Sequence, residues 1–158
     1  MSSEPRAFRG YIASRPVRGM RVPQRIQNLL VRDYAQRHDM RFLLSATEYV
    51  MPSCYMILQG VLDELPAIAG IVAFSIFMLP VRRERRLAIY ERVLGAVCEF
   101  HAALENVSVT GPEGIARCED LIAIAGLLPS APFGASMERL EGGVAADAGI
   151  RALLGGSP

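Results

Sequence analysis

The sequence predicts an α/β fold: one three-layer domain around a short parallel sheet of four strands, in the order 2-1-3-4. Three observations carry this prediction. Short apolar runs alternate with helical patterns of about ten residues or more, which implies parallel strands joined by right-handed crossovers. The run Ile71-Val72-Ala73-Phe74 is continuously apolar and β-branched at its start, the mark of a strand buried on both faces. A chain of 158 residues, 51% of them apolar, supplies one such core and not a second domain.

Residues 1–9 read as a flexible lead-in and residues 10–128 as the domain. Tyr11-Ile12-Ala13, entered from Gly10 and left at Ser14-Arg15-Pro16, suits a brief central strand. Pro23 stands at a helix's first turn, where its missing N–H costs nothing, and Ile26, Leu29, Leu30 and Tyr34 recur at helical spacing to about His38. Met40 to Leu44 reads as the second strand and Ser45 to Tyr49 as a polar turn. Pro52-Ser53 opens a second helix with Ile57, Leu58, Val61, Leu62 and Leu65 as its buried stripe and Pro66 as its stop. Gly70 leads into the third strand.

After Pro80, Leu87, Tyr90, Val93, Leu94 and Val97 mark a long third helix whose other face is crowded with Arg82, Arg83, Arg85 and Arg86. His101 to Leu104 reads as the fourth strand, ending at Glu105-Asn106, and Ile115 to Leu128 as a fourth helix after the Gly111-Pro112 break. Residues 129–158 form a Gly-, Ala- and Pro-rich tail, with short helices near Met137 to Leu140 and Ala148 to Leu154, or with none.

Seventeen basic residues against sixteen acidic ones leave a net charge of +1, so nothing global draws the chain to nucleic acid or into a membrane surface. Neither is expected as a partner. Every basic residue is Arg, which excludes Schiff-base chemistry and favours forked binding of phosphate or carboxylate. Cys54, Cys98 and Cys118 fit no zinc spacing, and a reducing cytoplasm is expected, without bound metal. The polar start, Met1 to Gly10, reads as neither signal peptide nor anchor. The longest apolar run, Ala67 to Val81, falls short of the roughly 20 residues of a membrane helix. Gly10, Gly19 and Gly60 compose no nucleotide-binding loop, and no cofactor is expected.

In open parallel sheets ligands bind beyond the carboxyl ends of the strands, where loops and helix N-termini converge. That rule selects Ser14 and Arg15 after strand one, Ser45, Thr47, Glu48 and Tyr49 after strand two, Ser75 after strand three, and Glu105 with Asn106 after strand four. Either these groups make a site, or each strand end is polar because it meets water. Gln24, Asn28 and Arg32 share one helix face, and an anion docked at Gln24 would lie beside Arg15. Glu48 and Glu105 are candidate proton-transfer groups; the order 2-1-3-4 separates them, pairing Glu48 with Ser14 and Arg15, and Glu105 with Ser75. Cys54 sits near a helix N-terminus, where the dipole lowers a thiol's pKa, whereas Cys98 and Cys118 fall in helical patterns as filler. With only His38 and His101, a zinc site or serine triad finds little support.

Several segments are specific enough to carry a resemblance. Arg9 to Arg15, Val22 to Asn28, Arg32-Asp33-Tyr34, Leu43 to Tyr49, Met51 to Tyr55, Gly70-Ile71 and Phe74 to Pro80 together resemble the sporadic carbohydrate cluster family, over about Arg9 to Leu128. The resemblance implies a bacterial protein that makes or modifies a polysaccharide sugar. A weaker resemblance runs to the catalytic domain of serine recombinases: Tyr11 to Ser14, followed by a helix with Gln24 and Gln27, looks like its opening, with Ser14 in the nucleophile's place. Ile12 stands where that family has arginine, and Phe74 to Pro80 lacks its Asp-Arg-x-x-Arg pattern. The resemblance therefore implies a resolvase-like, flavodoxin-like fold and a pocket near Ser14; it does not imply DNA cleavage.

The expected function is an enzyme of carbohydrate biosynthesis acting on a sugar phosphate or nucleotide sugar. In that reading Ser14, Glu48 and Glu105 are catalytic, and Arg15, Gln24, Asn28, Tyr49, Tyr55 and Ser75 bind substrate. The alternative is a non-catalytic scaffold that assembles through the arginine-rich helix and the tail. A homo-oligomer is expected in either case.

Overall fold

The structure, a computed structural model, describes residues 4–128. The tail expected over 129–158, with its two short helices, lies outside the described residues. Nine regular elements follow one another: β1 (Phe8–Ala13), α1 (Gln24–Arg37), β2 (Phe42–Glu48), α2 (Met56–Asp63), β3 (Gly70–Ala73), α3 (Arg83–Gly95), β4 (Glu99–Ala102), β5 (Val107–Val109) and α4 (Pro112–Leu127). They build a mixed α/β sheet, parallel but for its last strand, in the order β2-β1-β3-β4-β5.

The expected order 2-1-3-4 holds for the four parallel strands. The expected total of four does not: Val107–Val109 pairs antiparallel with β4 through the Leu104–Asn106 turn, where Asn106 takes the left-handed conformation at φ 53°. Strand alternation places the helices. Phe100 packs edge-on against Tyr90 of α3, while the next residue, His101, meets Tyr34 of α1, so α1 and α3 cover opposite faces. The core is Tyr11, Ile12, Ile71, Val72, Phe100 and the buried stripes of the helices.

Several boundaries move for physical reasons. β2 starts and ends later than Met40 to Leu44, because its polar second half is a strand and not a turn. β4 starts earlier than His101, and α2 begins at Met56 and not at Pro52. The buried stripe of α1 is Gln27, Val31, Tyr34 and Ala35, whereas Ile26 and Leu29 face solvent. α1 and α3 each end in a paired-hydrogen-bond cap: Asp39 and Val97, both at positive φ, donate to Gln36 and Leu94, and Met40 and Cys98 reach back to Ala35 and Val93. Cys98 therefore belongs to a turn and not to a helix.

β1 and β2 are out of step by one residue: Arg9 to Tyr11 on β1 opposes Leu43 to Ala46 on β2. The extra residue is a bulge. There the Arg9 guanidinium donates to the Leu44 carbonyl at 3.0 Å and pairs with Glu64 at 2.7 Å. Gly10 is required at this crossing, since a Cβ would strike Ser45 Oγ and the Phe42 ring. No helix among the described residues is long and apolar enough to cross a membrane.

Candidate functional site

The chain reverses its direction of travel across the sheet between β1 and β3, and the crevice at their carboxyl ends is where this architecture places ligands. The end of β1 is held by a residue that the sequence marked only as part of the recombinase-like opening, not as a site residue. Gln27 is fully buried; its Oε1 accepts from Ala13 N–H, and its Nε2 donates to the carbonyls of Ala13 and Val22. One amide thus ties strand end to helix start across the loop that carries Ser14. The available signal was a polar residue in line with Val31 and Tyr34 on the buried stripe.

Ser14 follows, half-buried, and its hydroxyl accepts from Gln24 Nε2 at 2.9 Å. The serine proton remains available to donate outward. Among the described residues no base contacts this hydroxyl, so the geometry makes Ser14 a binding donor. Asn28, half-buried, lies one turn beyond Gln24 on α1.

Arg15 is anchored by Nη1, which donates to the Cys54 carbonyl at 2.6 Å and to the Met51 carbonyl at 3.3 Å. Its guanidinium carbon lies 4.8 Å from the centre of the Tyr55 ring. Arg85, in the first turn of α3, approaches the same ring at 5.3 Å. Both guanidinium groups thus lie near one ring, and among the described residues neither meets a carboxylate. Arg18, at positive φ in the Val17–Met20 turn, lies 4.7 Å over the Phe77 ring. Arg15 and Tyr55 were expected here; Arg85 and Arg18 were not, because neither follows a strand directly.

Other expected residues are wired differently. Glu48 is fully buried and accepts four hydrogen bonds: from Tyr11 Oη at 2.9 Å and from the backbone N–H groups of Tyr49, Ile57 and Leu58. Two of those N–H groups belong to the first turn of α2, so the carboxylate caps that helix and neutralises its positive end. Burial, followed by the charge of Glu48, pushes the Tyr11 phenol far up, which keeps it protonated as a donor. A carboxylate so enclosed reaches no substrate. Tyr49 next to it is exposed.

Glu105 and Ser75 meet as expected: Ser75 Oγ donates to Glu105 Oε1 at 2.6 Å and accepts from Phe77 N–H, while Glu105 Oε2 accepts from Ile76 N–H at 3.0 Å. This network holds the 3-10 turn Ile76–Met78 beyond β3. It lies at a strand end, and its partners come from the chain itself.

Within the arginine run, Arg86 differs from its neighbour. It is buried, binds Glu119 of α4 through two hydrogen bonds of 2.8 and 2.7 Å, and donates to the carbonyls of Pro80 and Val81. The hydrogen bond from Arg86 holds the Glu119 carboxyl below its usual value, and the same contact raises Arg86. At the opposite, amino edge, His101 joins Tyr34 and Glu99, and burial holds its imidazole below the ordinary histidine value. Burial pushes the Cys118 thiol up to about 11, consistent with filler. No cluster of three metal-ligating side chains occurs among the described residues.

Set against known proteins, the chain is similar to the N-terminal catalytic domain of TP901-1 integrase, with a TM-score of 0.50 and 14% identity over 75% of this chain and 94% of that one. It is also similar to a resolvase family site-specific recombinase from Streptococcus pneumoniae, with a TM-score of 0.53 and 8% identity over 89% of this chain and 99% of that one. At such identities the likeness shows a resolvase-like fold and no activity. No family model matches the chain, and no curated protein matches it.

Proposed function

We propose that the protein binds a phosphorylated or nucleotide-linked sugar at the carboxyl edge of its sheet, in the making or modification of a surface polysaccharide. One observation carries the reading: Arg15 and Arg85, without carboxylate partners among the described residues, converge on Tyr55 beside the Ser14 loop. Guanidinium forks suit phosphate oxygens, and the Ser14 hydroxyl supplies a further donor. Gln24 and Gln27 act as positioning residues for Ser14, and Glu48 positions Tyr55 by capping α2. The carbohydrate context comes from the sequence segments that resemble the sporadic carbohydrate cluster family. The lost recombinase arginines speak against phosphodiester exchange in DNA.

A thermal-shift titration with inorganic phosphate, sugar phosphates and nucleotide sugars tests the reading. Stabilisation by a phosphorylated ligand that Arg15→Ala and Arg85→Ala both erase is the expected result. A stabilisation indifferent to both substitutions, or none from any ligand, overturns it.

The scaffold reading keeps one supporting observation. Leu44, Val50, Met51 and Met56 are all more than half exposed within a short stretch of chain, which is unusual for large apolar side chains. Sedimentation of wild type beside Met51→Glu with Met56→Glu tests it: an oligomer that the double variant dissociates supports assembly through this patch, and a monomeric wild type removes it.

A further inference from the structure

A groove of about 240 Å³ separates α2 from α3, and Arg85 lines it. Its walls repeat along both helices. Gln59 lies one turn beyond Tyr55 on α2, and Arg92 lies two turns beyond Arg85 on α3. Between them, Leu62, Pro80, Ala88 and Ile89 supply an apolar floor. The far end is closed by Arg92, which donates to Gln59 Oε1 at 3.4 Å and to Asp63 Oδ1 at 2.5 Å. One surface therefore passes from a cationic mouth to an apolar middle and then to a polar far wall.

We propose that this groove receives the sugar of a sugar phosphate or nucleotide sugar whose phosphate lies between Arg15 and Arg85; the inference rests on the phosphate reading of that stack. A pyranose presents an apolar C–H face and a rim of hydroxyls. The floor of Leu62, Pro80 and Ile89 matches the face, and the Gln59 amide with the Arg92–Asp63 pair matches the rim. Because Arg85 belongs to both the stack and the groove wall, a phosphate held by Arg85 projects its substituent along α2 and α3. The long Arg92–Gln59 hydrogen bond is one that a sugar hydroxyl can replace at little loss.

Calorimetric titration of the whole chain with inorganic phosphate and with hexose 1-phosphates of gluco, galacto and manno configuration tests the inference. Wild type should bind at least one hexose 1-phosphate more tightly than inorganic phosphate. Ala88→Leu fills the groove from an exposed helix position at no cost in helix propensity, and should weaken that sugar phosphate by about tenfold while leaving inorganic phosphate unchanged. Gln59→Ala, also at an exposed site, should weaken the sugar phosphate alone, by about threefold. Phosphate binding with no preference for any sugar, or a sugar preference that survives Ala88→Leu, overturns the groove and spares the stack. No binding of phosphate or sugar phosphate to wild type overturns both.

Discussion

Arg85 and Arg86 are neighbours in sequence and opposites in wiring. Arg86 spends its guanidinium on Glu119 and two carbonyls inside the fold, while among the described residues the Arg85 guanidinium has no hydrogen-bond acceptor and lies over the face of Tyr55. The same contrast separates two serines at strand ends. Ser75 is closed by Glu105 and Phe77, whereas Ser14 accepts one bond from Gln24 and keeps its proton to give. Residue type and position at the carboxyl edge do not separate these groups; the hydrogen-bonding capacity left to each does, and the proposed site is built from the groups that keep some. The saturated groups Arg86 and Ser75 hold helix and loop in place.

The sharpest test of that contrast is Glu119→Ala, which strands a buried arginine. It should cost about 3 kcal/mol or more in urea unfolding at neutral pH. Because the Glu119 carboxyl is held below its usual 4.5, its contribution is present above that pH and is lost as pH falls through the lowered value. The variant should therefore show a shallower loss of stability in acid than wild type.

Next in size is Glu48→Gln, which turns an amide donor toward N–H and O–H donors; about 2 kcal/mol should be lost, with phosphate binding retained in the folded fraction. A variant as stable as wild type would return Glu48 to the list of groups with capacity to spare. Ser75→Ala should cost about 1 kcal/mol, against about 0.5 kcal/mol or less for Ser14→Ala. Smallest in stability is Arg85→Ala, within about 0.5 kcal/mol, yet it should lower phosphate affinity by about tenfold. Equal stability losses for Arg85→Ala and Glu119→Ala would erase the distinction between open and closed.

These differences explain what the sequence could reveal. β3 was legible because Ile71 to Ala73 is buried on both faces, and the parallel pairing followed from the alternation of elements, which does not by itself fix the order 2-1-3-4. β5 was not, since three residues in a hairpin carry too little pattern against the neighbouring Gly111-Pro112 break. β2 was half legible: Ser45, Thr47 and Glu48 read as a turn because nothing local reveals that Glu48 is buried as the cap of a helix beginning eight residues later. In α1 the stripe was misplaced onto Ile26 and Leu29, because Gln27 is buried for its hydrogen bonds and not for its apolarity. Ser14 and Arg15 were gathered by the strand-end rule, Gln24 by its place on the face of the first helix, and Tyr55 as an expected substrate-binding residue outside both arguments. Arg85 escaped because a run of arginines gives each member the same local pattern, and only tertiary contacts divide them.

The bulge in β2 has a consequence for the molecule in a crowded solution. β2 lies at one edge of the sheet, and Phe-Leu-Leu-Ser-Ala-Thr is the kind of uncharged stretch on which another chain's strand would add, copy after copy. The displaced register interrupts that template midway, and there the Arg9 guanidinium already holds the Leu44 carbonyl. The ion pair with Glu64 holds that guanidinium in place, so its loss should show in the aggregation of concentrated protein before it shows in the stability of the fold.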